Sequence, residues 1–109
     1  MNEDTKKPII LCCGHYGRAV IYGRVDSDPV PGASVTMYDA RMILRWDAQC
    51  GGLLGLAVVG PRGDTRITRA VEYVIETKWQ EVVSVTPAAA AIIDAWPAHA
   101  SDDPGAVDA

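Results

Sequence analysis

The chain has 109 residues and a mass of 11.7 kDa, enough for one ordinary domain and too little for an enzyme with separate cofactor and substrate modules. Hydrophobic residues make up 49% and charged residues 22%, which excludes a disordered chain. The net charge is -4, yet residues 8–97 carry 8 Lys and Arg against 9 Asp and Glu, a balance without the basic face that gripping long nucleic acid requires. The longest uncharged apolar stretch, residues 48–61, spans 14 residues and holds four glycines, too short and broken to cross a bilayer. No basic segment precedes an apolar one at Met1, so no secretory signal is expected. The odd set of Cys12, Cys13 and Cys50 then implies reduced thiols and a cytoplasmic location.

A single globular domain is expected over residues 8–97, between a polar, disordered tail at 1–7 and an acidic, disordered tail at 98–109 that lacks apolar periodicity. Residues 8–13 form a continuous apolar run and residues 18–25 a second run rich in β-branched and aromatic types. Gly14-His15-Tyr16-Gly17 between them makes a hairpin. Residues 26–33 read as a loop. Over residues 34–46 the set Val35, Met37, Asp39, Arg41, Ile43 and Arg45 alternates with Thr36, Tyr38, Ala40, Met42, Leu44 and Trp46. The second set is mostly apolar, which predicts a strand that buries Trp46 and exposes Arg41 and Arg45. Asp47 is a candidate cap, and Leu53, Leu54, Leu56 and Ala57 recur at helical spacing, so one or two short helices follow. Residues 65–75 and 81–86 return to β-branched residues and predict two or three more strands. Thr86-Pro87 then caps and starts a helix that Pro97 stops. The order of elements gives an α+β fold: a small antiparallel sheet with a short helical insert and a C-terminal helix.

No catalytic constellation emerges, because His15 and His99 lack a nucleophile and acid in any recognisable arrangement. No enzyme and no cofactor are expected. Cys12 and Cys13 are strand neighbours that point to opposite faces, so they cannot chelate one ion together, and no metal site is expected. Gly51-Gly52-Leu53-Leu54-Gly55 has the glycine content of a phosphate loop without its lysine or spacing. The arginines say more. Strand alternation puts Arg41 and Arg45 on one face, Arg66 and Arg69 follow on the next strand, and all four converge if those strands pair. Such a platform would hold phosphate through planar, bidentate hydrogen bonds, with Trp46 stacking on a base. The alternatives are a solvated face neutralised by Asp39, Asp64 and Glu72, and a tryptophan that simply packs the core.

Asp39-Ala40-Arg41, Trp46, Gly55-Leu56-Ala57 with Gly60-Pro61, Arg66-Ile67-Thr68, Thr86-Pro87 with Ala90, and Trp96-Pro97 together resemble an uncharacterised domain family common in phages and prophages. The likeness covers about residues 18–97. It departs from the family where Arg45-Trp46 replaces a Tyr-Trp pair and where the order Trp96-Pro97 is reversed. Small helices inserted between strands in a short protein without catalytic residues also resemble the Thoeris anti-defence sponges. That resemblance implies binding of cyclic ADP-ribose isomers or cyclic oligonucleotides between protomers, without cleavage. The expectation is therefore a phage-type accessory protein that sequesters a small anionic cyclic nucleotide and forms a homo-oligomer, with no long nucleic acid and no membrane as partner. Arg41, Arg45, Trp46, Arg66 and Arg69 are its candidate ligand-binding residues. A non-catalytic structural or protein-interaction domain without a ligand is the alternative.

Overall fold

The computed structural model describes residues 6–13 and 19–99. The predicted turn around His15, residues 1–5 and residues 100–109 lie outside the described residues. The two opening runs form β1 (Lys7–Cys13) and β2 (Ala19–Val25), paired antiparallel from Lys7 opposite Val25 to Cys13 opposite Ala19. β3 (Val35–Arg45) pairs with the far edge of β2. A short 3-10 turn (Ala48–Cys50) and α1 (Gly52–Val59) make the helical insert. β4 (Arg66–Ile67), β5 (Val71–Glu76), β6 (Glu81–Ser84) and α2 (Pro87–Ala95) complete the chain. Every ladder is antiparallel, so the α+β fold is the one the sequence predicts.

β4 and β5 lie one after the other along the outer edge of β3, while β6 lies along the outer edge of β1. β5 and β6 are thus on opposite edges although only residues 77–80 join them. Five residue steps reach at most about 18 Å, less than the roughly 19 Å that four strand spacings need in a flat sheet. The sheet must curl, and its concave side encloses Ile9, Leu11, Cys13, Ile21, Val25, Val35, Met37 and Ala40, with Val74 and Trp79 packed on them. The other side is covered by α1 and α2, whose Leu56, Ala57, Ala89, Ala90 and Ile93 pack on Ile10, Val20, Tyr22, Ile43 and Ile67.

The predicted alternation of β3 is broken in its middle. Asp39 takes a left-handed conformation (φ 52°), and residues 39 and 40 together oppose Gly23 between the pairs Tyr22–Arg41 and Arg24–Tyr38. This bulge exchanges the faces of the strand: Val35 and Met37 pack inside the curl before it, whereas Arg41 and Ile43 turn to the helix-covered side after it. Gly23 allows a close approach there: a Cβ would lie 3.1 Å from both Met37 Cβ and the Tyr38 carbonyl oxygen, so the neighbours would have to shift by a few tenths of an ångström. Arg41 is buried under the end of α2 and not exposed as predicted, because both sides of the sheet are covered. Ala98 bridges Ile67 and the His99 amide donates to the Ile67 carbonyl (2.9 Å), so ordered contacts continue past residue 97 because β4 offers an unpaired neighbour to receive them.

Candidate functional site

An open cleft of about 670 Å³ lies where the C-terminal end of α2 meets β3 and the link between β4 and β5. Arg24, Asp39, Arg41, Arg69, Ala70, Asp94, Trp96 and Ala98 line it. Its floor is Arg41, only 6% exposed. The Arg41 guanidinium donates through Nε to the Thr68 carbonyl (2.6 Å), through Nη1 to the Ile93 carbonyl, and through Nη2 to the Trp96 carbonyl (2.8 Å). The last carbonyls of a helix have no partner within the helix and carry partial negative charge, so a cation seated there satisfies both needs.

Beside it, Arg24 forks Asp94 through Nη1 (3.1 Å) and Nη2 (2.8 Å), and the Tyr22 hydroxyl donates to the same carboxylate at 2.9 Å. Burial pushes the Asp94 carboxyl up, but hydrogen bonds from Arg24 and Tyr22 and the charges of Arg24 and Arg41 outweigh it and hold the group below the usual carboxylate range. Asp94 is thus a fixed anion. Arg69 is exposed on the link between β4 and β5, where Thr68 fixes the backbone: its hydroxyl accepts from the Met42 amide (2.9 Å) and donates to the Arg69 carbonyl (3.1 Å). The Trp96 indole N–H donates to the Thr65 carbonyl at 2.9 Å, which holds the ring at the edge of the cleft.

The five residues expected to form one platform are divided among different places. Arg41 and Arg69 share the cleft. Arg45 and Arg66, opposite one another on β3 and β4, both bind Asp64, at 3.2 Å and 3.3 Å. Arg66 borders a second opening of about 580 Å³ with Thr65, Pro97 and His99, on another side of Trp96. Trp46 is half-buried against the helical core, so it packs and does not meet the cleft. The expected convergence fails because the bulge turns Arg41 under the end of α2 while Asp64 draws Arg45 and Arg66 together. Sequence reasoning missed Arg24, Asp94 and Trp96. Arg24 and Asp94 are 70 residues apart with no local signal between them, whereas a tryptophan just beyond a proline-stopped helix was visible.

Cys12 and Cys13 point to opposite sides of the sheet, as strand geometry requires. Burial, then the neighbouring Glu76, pushes the Cys13 thiol up to about 12, so neither a thiolate ligand nor a nucleophile is prepared there. Among the described residues no helix is long and apolar enough to cross a membrane.

No curated protein and no solved structure matches the chain. A family model described as a domain of unknown function (DUF6948) matches residues 6–93, from the first strand to the last turns of α2, and the chain belongs to that family.

Proposed function

We propose that this domain binds a small cyclic nucleotide in the cleft at the end of α2 and sequesters it uncleaved, as a phage-type anti-defence accessory protein. The observation that carries the reading is the lining of that cleft: three arginines, Arg24, Arg41 and Arg69, outnumber the two carboxylates, Asp39 and Asp94, and border with Trp96 one open space of about 670 Å³, a size typical of small-molecule sites. Arg24 is neutralised by Asp94, whereas Arg41, bound to carbonyls, keeps its positive charge at the cleft. Arg69, exposed at the rim, would fork a phosphate, and Trp96 would offer an aromatic surface to a base. Sequestration is favoured over cleavage because Asp94, one of the two carboxylates in the cleft beside Asp39, is held as an anion by Arg24 and Tyr22 and is a poor general acid.

Thermal-shift titrations with cyclic ADP-ribose isomers and cyclic dinucleotides test this. At least one should raise Tm and be recovered intact after heat denaturation. Arg69→Ala should weaken it by about tenfold or more, the effect of losing one charge-assisted phosphate contact, whereas Arg66→Ala, whose partner is Asp64, should leave affinity unchanged. A hydrolysed product would make the protein an enzyme, and no response to any nucleotide would remove the ligand. A protein-interaction domain without a small ligand is the second reading, favoured by an exposed aliphatic face on the two helices.

A further inference from the structure

Asp39 stands apart from the other aspartates of the described chain. Asp26, Asp28, Asp47, Asp64 and Asp94 each bind a basic side chain or a backbone amide. Among the described residues no hydrogen bond or ion pair holds the Asp39 carboxylate, although it lines the same cleft as Arg24, Arg41 and Arg69. Two of those arginines are engaged elsewhere: Arg24 binds Asp94, and Arg41 serves the carbonyls at the end of α2. The backbone is unusual at the same point. Where the described chain takes a positive φ it uses glycine five times, and it uses another residue only at Asp39, on the exposed bulge that borders the cleft. Aspartate tolerates the left-handed region better than most residues, but glycine takes it without cost, and side chains kept in such positions cluster where a ligand needs them.

We infer that Asp39 makes the cleft selective for nucleotides that offer two adjacent hydrogen-bond donors besides their phosphate: a vicinal ribose diol, or the N1–H and amino edge of guanine. The inference rests on the cleft being a nucleotide site and adds which nucleotides it takes. An ionised carboxylate only accepts, and its two oxygens receive two neighbouring donors at once. It also repels phosphate, so a ligand that meets the guanidinium groups with phosphate and Asp39 with neutral donors satisfies both signs of charge in the lining. A site built around such an acceptor rejects analogues that lack the donors, because the carboxylate is then stripped of water and given no partner. Adenine, which sets an acceptor beside its amino group, offers it one donor and one repulsion.

Isothermal titration calorimetry on the full chain tests this with three probes: cyclic ADP-ribose, which carries vicinal ribose diols, cyclic di-GMP, which carries the guanine edge, and cyclic di-AMP, which carries neither. Wild type should bind one of the first two about tenfold or more tighter than cyclic di-AMP, and the one it prefers tells diol from guanine. Asp39→Asn should erase most of that preference, whereas Arg69→Ala should weaken all three alike. Asp39→Gly should bind as Asp39→Asn does and keep Tm at or above the wild-type value, because glycine adopts a φ of 52° freely. Equal binding of all three probes by wild type, or a preference that survives Asp39→Asn, would overturn the assignment and leave the cleft a nucleotide site. A Tm lowered by Asp39→Gly would overturn it as well, since the residue would then serve the fold. Binding of none of the three would remove the nucleotide reading itself, and the selectivity with it.

Discussion

Arg41 illustrates how one backbone irregularity decides what a side chain is for. On an unbroken strand its guanidinium would share the face of Val35 and Met37 inside the curl, but the bulge at Asp39 turns it to the other side, under the end of α2, where it binds the carbonyls of Thr68, Ile93 and Trp96. Arg41→Ala removes this donor from the part-buried Thr68 and Trp96 carbonyls and leaves the Ile93 carbonyl with the Trp96 amide alone, so at roughly 1 kcal/mol or more for each of the first two a loss of about 2 kcal/mol or more is expected in denaturant unfolding. Arg41→Lys keeps the charge but not the fork and should recover only part of it. Asp94 works in the same corner and is sensitive to pH. Its folded-state pKa is depressed, so its contribution is fully present above the ordinary carboxylate value near 4 and is lost as pH falls through the folded value. The Tm difference between wild type and Asp94→Asn should therefore be constant above about pH 5 and shrink below about pH 4. A difference that persisted unchanged into acid would mean that the carboxylate charge is not what Arg24 and Tyr22 hold.

Whole elements are fixed by a few positions that the sequence shows plainly and a few that it hides. Thr86 caps α2 by accepting from the Ala89 amide (3.0 Å), and its own amide and hydroxyl bind the Ala57 and Val58 carbonyls at the end of α1. Thr86→Ala should cost about 1–2 kcal/mol in thermal unfolding, with Thr86→Ser close to wild type. Gly55 is needed because a Cβ there would run into the Cys50 carbonyl oxygen, where the 3-10 turn folds against α1, so Gly55→Ala should destabilise by about 2 kcal/mol or more. The hairpin, the Thr86-Pro87 start of α2 and the Asp47 cap were legible because each is a local signal: apolar runs around glycines, or a side chain that accepts from an amide two or three residues on. The bulge was not, because it appears only in the pairing of β3 with β2, where Asp39 in a left-handed conformation and Ala40 together oppose Gly23. For the same reason Arg41 and Arg69 were found as candidates while their separation from Arg45 and Arg66 was not. That division depends on pairing between strands and on Asp64, which no spacing along the chain reveals.

At the scale of the molecule, the short link between β5 and β6 forces the sheet to curl, giving one core inside the curl and another beneath the helices. The stretches that carry the family resemblance serve mainly this architecture. Ala40, Leu56, Ala57, Ile67 and Ala90 are buried, and Thr86 and Arg41 secure the two ends of α2. What remains open to a ligand is the cleft that the end of α2, β3 and the link between β4 and β5 build together, with Arg69 and Trp96 at its border. The chain's three tryptophans make this directly measurable, because the Trp46 side chain packs on the helical core, Trp79 packs within the curl and donates to the Ala33 carbonyl, and Trp96 borders the cleft. In a proton–nitrogen correlation spectrum of the labelled protein, titrating the cyclic nucleotide that gives the largest thermal shift should move the Trp96 indole signal and leave those of Trp46 and Trp79 in place. Movement of the Trp46 signal with Trp96 unchanged, or no indole movement at saturation, would contradict a ligand site at the end of α2.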